Sequence, residues 1–185
     1  MREKKDIRLY FALWPQETVR QHLHAAAATI AVDSRGRRVP RANLHLTLHF
    51  IGNVYFAQME CLQQAARLVR ASAFDLTIDR QGYFNKPRVV WLGCRNPPAA
   101  LNDLHQQLGR HLQICDYDPE LRPYQPHVTV ARKIGPIAAE TGFAAVDWCV
   151  TEFALIEVRA IDNGVQYRAV ETYPLNQSTR TDQQT

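Results

Sequence analysis

Two segments of the chain each carry a histidine and a threonine separated by one residue: LHLTLHF (44–50) and PHVTVARK (126–133). Both segments alternate apolar and polar residues, which is typical of a half-buried β-strand. The histidine and threonine of each strand are therefore expected on one face, away from the apolar side chains. In the first segment, the alternation predicts that Phe50 and the three leucines face the core.

Two histidines that approach one reacting group can move two protons in one reaction. Histidine titrates near neutral pH, so one ring can act as general base while the other acts as general acid. Displacement at phosphorus needs such opposed groups, because the nucleophile and the leaving group lie roughly in line. The hydroxyls of Thr47 and Thr129 could donate to phosphate oxygens that carry the charge. The pattern therefore predicts one shared phosphoryl-transfer site at His45 and His127.

Plainer interpretations remain for each motif taken alone. A single His-x-Thr occurs on many half-exposed strand faces, and histidine is also a common zinc ligand. No carboxylate or cysteine recurs beside the two motifs, so we expect neither a metal ion nor a cofactor. His49 is predicted at the groove edge or on the surface. Four further histidines fall on predicted helices and are expected at the surface or in the core: His22, His24, His105 and His111.

The two motifs belong to an internal repeat, because shifting the sequence by 82 residues places His45 on His127. The same shift superimposes a strand, a proline and a helix: 7–14 on 89–96, Pro15 on Pro97, and 16–32 on 98–114. We therefore expect an α+β fold. It would be bilobal, with two β-α-β units related by a pseudo-twofold axis and antiparallel sheets flanking a central cleft. Such symmetry would bring the two motifs to opposite walls of that cleft.

The remaining elements follow from periodicity and turn residues. A helix is predicted at 57–71, and two strands at 74–84 and 88–94 are expected to join through Asn85-Lys86-Pro87. Two strands near 150–158 and 165–173 are expected to form a hairpin at Asn163-Gly164.

Composition indicates one domain at 1–175, followed by a polar tail at 176–185 that is expected to be poorly ordered. The 185 residues carry a net charge of +4, which mildly favours polyanionic partners.

No apolar run approaches the roughly 20 residues of a membrane span. With no export signal, we expect the protein in the cytoplasm, and we also expect a monomer. Its four cysteines, with no CxxC pair among them, are expected to be reduced: Cys61, Cys94, Cys115 and Cys149.

Four segments together are similar to a known family: RLYFALWP, NLHLTLHFIGNV, RVVWLGC and RPYQPHVTVARK. They resemble the RNA 2′,3′-cyclic phosphodiesterases, the LigT-like or 2′-5′ RNA ligase-like proteins of the 2H phosphoesterase superfamily. The resemblance covers about 7–173. It implies a bilobal α+β fold with the site in a central cleft. It also implies hydrolysis of an RNA-terminal 2′,3′-cyclic phosphate to a 2′-phosphomonoester, with a weak reverse 2′-5′ ligation.

The resemblance also implies residue roles. His45 matches the histidine that gives a proton to the leaving 3′ oxygen, and His127 matches the one that accepts a proton from water. The symmetry of the site makes these two roles hard to distinguish from sequence. Thr47 and Thr129 match the threonines that bind the phosphate.

Two further residues match family positions outside the motifs themselves. Arg132 matches an arginine after the second motif, and a guanidinium suits phosphate geometry. Phe11 matches an aromatic residue that contacts the nucleoside, with a plain core position as the alternative.

The arginines at 35–41 either belong to a solvated loop or bind RNA phosphates. Two other functions stay open: the same scaffold acting on another cyclic phosphate or a 2′-5′ oligonucleotide, and a non-catalytic RNA-end-binding protein.

Overall fold

The structure is a computed structural model that describes residues 7–30, 36–135, 142–161 and 164–177. Within these ranges the chain forms ten strands and three α-helices, with short 3-10 turns at Arg41–Asn43 and Gln113–Cys115. The strands are β1 Ile7–Leu13, β2 Arg37–Arg38, β3 Leu46–Val54, β4 Phe74–Ile78, β5 Arg80–Phe84, β6 Val89–Gly93, β7 His127–Arg132, β8 Val146–Val150, β9 Glu152–Ile161 and β10 Gly164–Pro174. The helices are α1 Glu17–Ala28, α2 Phe56–Ala66 and α3 Ala99–Leu112.

A large antiparallel sheet runs through both halves of the chain. Its strand order is β10-β9-β1-β3-β7-β6-β5, and the short β2 pairs with β7. A separate two-stranded sheet joins β4 to β8. The predicted single strand at 74–84 is therefore wrong, because β4 and β5 lie in different sheets. The predicted α+β class with antiparallel sheets is confirmed.

The two halves meet where β3 and β7 pair at Leu46 and Val128. These residues are 82 apart, as are Glu17 and Ala99, the first residues of α1 and α3. When a twofold axis passes between two antiparallel strands, two equivalent residues face each other only where the axis passes. The Leu46–Val128 pair therefore marks the pseudo-twofold axis, and the predicted repeat is present in the fold.

Both motif strands carry the same β-bulge, one residue after the motif threonine. The register of β3 with β1 skips Leu48, and the register of β7 with β6 skips Val130, 82 residues later. An extra residue moves the next side chain to the other face of the sheet. His49 is consequently buried, while Phe50 is 53% exposed. The expectations that Phe50 faces the core and that His49 lies at the groove edge are both wrong.

The main core lies on the face of the large sheet that the helices cover. Leu9, Phe11 and Leu13 of β1 are fully buried there, together with residues from all three helices. The opposite face has only a small buried cluster around Tyr10 and Ala12 within the described residues. Because one face packs and the other stays largely open, the second face is available for a groove.

The chain continues in ordered structure slightly beyond the predicted domain end at 175. Asn176 forms a parallel bridge with Ser72, and its backbone N–H donates to the carbonyl oxygen of Ala71. The rest of the predicted tail, 178–185, lies outside the described residues, as does Asn163 of the predicted hairpin turn. β9 and β10 nevertheless pair as that hairpin requires. None of the helices described is both long and apolar enough to cross a membrane.

Two of the four cysteines form a disulfide, so the expectation of four reduced thiols is wrong. Cys61 on α2 is bonded to Cys115, in the 3-10 turn after α3, with a Cα–Cα distance of 5.7 Å. Their separation of 54 residues gives no sequence signal; the packing of α2 against the end of α3 brings them together. Cys94 and Cys149 are free.

We predict that the denatured, unreduced protein contains two titratable thiols, and that Cys61→Ser raises the number to three. Because the bridge closes a long loop, reducing it should lower the free energy of unfolding by roughly 2–4 kcal/mol. Thiol titration in denaturant and urea unfolding with and without reductant measure these quantities. Four thiols in the unreduced wild-type chain would contradict the Cys61–Cys115 pair.

Candidate active site

The pairing of β3 with β7 brings the two motifs side by side on the open face of the sheet. Continued by one residue in each direction from Leu46–Val128, the antiparallel register sets His45 opposite Thr129 and Thr47 opposite His127. Each histidine therefore faces the threonine of the other motif, and the two histidines lie diagonally. The structure thus assembles the four motif residues in one place.

The two histidine rings are held in the same way. His45 Nδ1 lies 2.7 Å from the carbonyl oxygen of Asn43, and His127 Nδ1 lies 2.8 Å from that of Gln125. A carbonyl oxygen only accepts, so Nδ1–H donates in both rings. In a neutral ring, Nε2 is then left as a proton acceptor. Both backbone acceptors precede their histidine by two residues, so the repeat preserves the tautomer as well as the position.

Burial favours the neutral form of both histidines. It lowers the pKa of His45 to about 4, and the positive charges of Arg132 and His127 act in the same direction, while the Asn43 carbonyl opposes them. The pKa of His127 is lowered as well, by burial first and then by Arg132. Both rings can therefore accept a proton near pH 7. The influence of the His127 charge on the pKa of His45 also shows that the two rings lie within electrostatic range.

Aromatic side chains surround His45. The ring centroid of Tyr10 lies 4.7 Å from that of His45 with an interplanar angle of 29°, and Trp14 lies 5.8 Å away at 25°. Tyr167 approaches from β10 at 5.7 Å. The guanidinium of Arg20 lies 5.1 Å from the Trp14 ring centroid, against that tryptophan. These rings account for the strong desolvation of His45.

A smaller aromatic set lies beside His127. Phe84 meets the imidazole edge-on at 5.0 Å, and Trp91 lies 6.2 Å away. The Trp91 indole covers Gly82 of the neighbouring strand, where an added Cβ would lie only 2.0 Å from the indole Cζ2. Gly82 is thus required for Trp91 to lie beside His127. Sequence reasoning missed these contacts, because they join residues of different strands and no motif marks them.

Arg132 occupies an exposed position on the groove side of β7, just after the bulge. Its charge adds to the effect of burial in lowering the pKa of His45 and His127. Burial raises the pKa of Tyr10, and the charge of Arg132 opposes that rise. One guanidinium therefore lies within electrostatic range of both histidines, where an anion held between them would be stabilised.

Phe11, the sixth predicted site residue, does not face the groove. Its side chain is 0% exposed and packs against Phe153 and Tyr173 in the main core. A fully buried ring has no surface for a nucleoside. Phe11 therefore lies in the core, as the alternative interpretation of this residue expected. Tyr10, the preceding residue, points to the groove instead, because successive strand residues face opposite sides.

A stack of three rings supports the site from below. His105 lies between His49 and Tyr124, with centroid distances of 4.1 Å and 3.8 Å. His49 donates from Nε2 to the carbonyl oxygen of His105 and accepts at Nδ1 from the Tyr117 hydroxyl. The Tyr124 hydroxyl donates to the backbone carbonyl of Thr47 at 3.0 Å. The stack thus ties α3 and the loop before His127 to the first motif strand.

The arginine cluster before the first motif is divided among different contacts. Arg38 donates to the carbonyls of Ala27 and Ile30 at the end of α1, and Arg41 pairs with Glu17 at 3.3 Å. Arg37 is exposed and pairs through its backbone with Arg132. Arg35 lies outside the described residues. Arg38 thus has a structural role, which the solvated-loop interpretation of the cluster did not anticipate.

Metal ligands were the competing explanation for the two histidines. The part of the chain that the structure describes contains no group of three or more histidine, cysteine, aspartate or glutamate side chains that could hold a metal ion.

Comparisons with known proteins identify the family and the fold. Residues 15–162 match the model of the 2′-5′ RNA ligase superfamily. An RNA 2′,3′-cyclic phosphodiesterase of Escherichia coli is 32% identical over 174 residues, covering 92% of this chain and 97% of the relative. One of Methanothermobacter thermautotrophicus is 33% identical over 136 residues, covering 70% and 73%. The crystal structure of E. coli LigT in apo form superimposes with a TM-score of 0.85 at 30% identity, covering 94% of this chain and all of that one.

The fold and the paired motifs thus define a two-histidine phosphoesterase architecture. The chain belongs to the 2′-5′ RNA ligase superfamily. The resemblance inferred from the four sequence segments is confirmed.

We predict that the free energy of unfolding falls as the pH drops from 7.5 to 5.5. Burial lowers the pKa of His45, His49, His105 and His127, so these rings take up protons at a lower pH in the folded chain than in the unfolded chain, where histidine titrates near pH 6.5. His105→Phe keeps a flat ring in the stack without a titrating group, and should make the dependence shallower. Urea unfolding at several pH values measures the slope.

The matched control is His24→Phe, which changes an exposed histidine of α1 and should leave the slope unchanged. A wild-type stability that is flat between pH 7.5 and 5.5 would contradict the neutral state of these buried rings.

Proposed function

We propose that this protein hydrolyses the 2′,3′-cyclic phosphate at the end of an RNA to a 2′-phosphomonoester. The single observation that carries the proposal is the antiparallel contact of the two motif strands. In this contact the two histidines lie on neighbouring strands, each with Nδ1 bound to a carbonyl oxygen, which supports the action of both Nε2 atoms on one substrate. The names of the curated relatives support this choice of substrate.

In the proposed reaction, His127 Nε2 accepts a proton from a water molecule as the water oxygen attacks phosphorus. The bond between phosphorus and the 3′ oxygen breaks, and His45 Nε2–H gives its proton to that oxygen. The products are a 2′-phosphomonoester and a 3′ hydroxyl, so one water molecule is consumed. The hydroxyls of Thr47 and Thr129 donate to the non-bridging oxygens, whose charge grows in the transition state. Arg132 adds a charge-assisted contact.

The acid role requires a protonated histidine, whereas burial keeps both rings neutral in the free protein. A bound phosphate diester brings a negative charge next to both rings, which raises the pKa of each. Substrate binding therefore supplies the proton donor that the free site lacks. Weak 2′-5′ ligation would follow the same path with the 5′ hydroxyl of a second RNA in place of water. His127 would accept the proton of that hydroxyl, His45 would give its proton to the leaving 3′ oxygen, and a 2′-5′ phosphodiester would form.

The direct test is turnover of a short RNA ending in a 2′,3′-cyclic phosphate, with EDTA present and the position of the product phosphate determined. We expect a 2′-phosphate and no effect of EDTA, because threonine hydroxyls and a guanidinium supply the charge stabilisation. A 3′-phosphate product would reverse the leaving group and the histidine roles. Binding without turnover would favour an RNA-end-binding protein.

We predict that His45→Ala and His127→Ala each lower kcat by about 10²–10⁴, the usual contribution of a general acid or base. Folding should be retained, because neither ring belongs to the main core. Steady-state kinetics and circular dichroism measure the two effects.

The matched controls are His22→Ala and His24→Ala, which remove exposed histidines of α1 and should retain full activity. An activity loss below tenfold in either motif variant would contradict two-histidine catalysis.

We also propose that the protein acts as a monomer in the cytoplasm. A site built from one chain supports the first statement, and the RNA substrate supports the second.

Disulfides are uncommon in reducing compartments, so the redox state of the Cys61–Cys115 pair tests the proposed location. Alkylation of cell extracts under acid quench would report its state in the cell. Size-exclusion chromatography with light scattering would report the mass, and a dimer would contradict the monomer.

A further inference from the structure

Phe50 and Arg132 occupy equivalent positions in the repeat. Each lies three residues after its motif threonine. Each also follows the bulge, which shifts the alternation so that its side chain lies on the groove side. The five residues from Leu46 and from Val128 share the same sequence of buried and exposed positions. Because β3 and β7 are antiparallel, the two equivalent residues extend from the histidines in opposite directions. One end of the groove thus has an arginine, and the other has an aromatic ring.

The Phe50 ring is 53% exposed and has a cationic neighbour. The guanidinium of Arg8, an exposed residue on β1, lies 5.1 Å from the centroid of the Phe50 ring. An exposed aromatic ring beside an arginine is the combination that binds single-stranded RNA, since a base stacks on the ring and the guanidinium contacts the backbone.

Phe50 lies beyond the immediate surroundings of the histidines. In the described part of the chain, the rings that pack directly on the two motif histidines are Tyr10, Trp14, Tyr167, Phe84 and Trp91. Phe50 is farther along β3, roughly 7–10 Å of strand from Thr47. A base that stacks on Phe50 therefore belongs to the nucleotide next to the one whose phosphate reacts.

We propose that Phe50 and Arg8 form a subsite for the nucleotide immediately 5′ of the cyclic phosphate end. The base of that nucleotide stacks on Phe50, and Arg8 contacts the phosphate that joins it to the terminal nucleoside. This subsite rests on the proposed RNA phosphodiesterase function and adds a length preference to it. A cyclic mononucleotide cannot reach the subsite, whereas an RNA of two or more nucleotides can.

The test compares kcat/KM for a nucleoside 2′,3′-cyclic phosphate with kcat/KM for a dinucleotide that ends in the same cyclic phosphate. The wild-type ratio should favour the dinucleotide by roughly 5- to 100-fold, the range expected for one stacked base. Phe50→Ala should bring the ratio close to one, and Phe50→Trp should keep it. Arg8→Gln should reduce the slope of log KM for the dinucleotide against log salt by about one.

The matched control is Phe56→Ala, which removes a phenylalanine of α2 that is 62% exposed and should leave the ratio unchanged. A wild-type ratio near one, or a ratio that Phe50→Ala does not change, would overturn the subsite and leave the hydrolase intact. Wild-type protein that turns over neither substrate would overturn the proposed function, and the subsite with it.

Discussion

The structure depends on one short contact between two strands. β3 and β7 pair at Leu46 and Val128, and this contact joins β10-β9-β1-β3 to β7-β6-β5 in the large sheet. Because the paired residues are equivalent in the 82-residue repeat, the histidine, the threonine and the bulge of one strand recur on the other side of the axis. Two motifs that are each unremarkable on a single strand thereby become the two sides of one site.

The bulges decide which side chains share that site. In a regular strand, side chains alternate strictly, and the residue two positions after each threonine would lie on the groove side. The bulges at Leu48 and Val130 interrupt that alternation. With them, His49 and Ala131 enter the core, and Phe50 and Arg132 reach the groove. The buried His49 ring needs a small residue where it contacts α3. That residue is Gly109, where an added Cβ would lie 3.0 Å from the His49 Cε1 atom.

Much of this arrangement follows from sequence alone, and the reasons differ from residue to residue. His45, Thr47, His127 and Thr129 could be identified because their residue types and spacing recur at a fixed distance along the chain. The helix that begins at Ala99 could be placed because the same shift aligns Pro97 with Pro15.

Other features could not be predicted, because they arise from contacts between distant segments. A bulge leaves no mark in the sequence of a single strand, so Phe50 was expected in the core. The Cys61–Cys115 bond depends on how α2 meets the end of α3. The hydrogen bond from Tyr124 to the Thr47 carbonyl joins residues 77 apart in the chain. Phe11 and Tyr10 differ only in which face of β1 they occupy, and that choice depends on the register with β3.

The central claim is that both histidines act on one phosphate group. A crystal structure with a bound nucleoside 2′-phosphate tests it most directly. The account predicts phosphate oxygens within about 2.6–3.2 Å of Nε2 of both His45 and His127, with Arg132 beside them. A phosphate held by only one of the two histidines, or bound away from the β3–β7 contact, would contradict it.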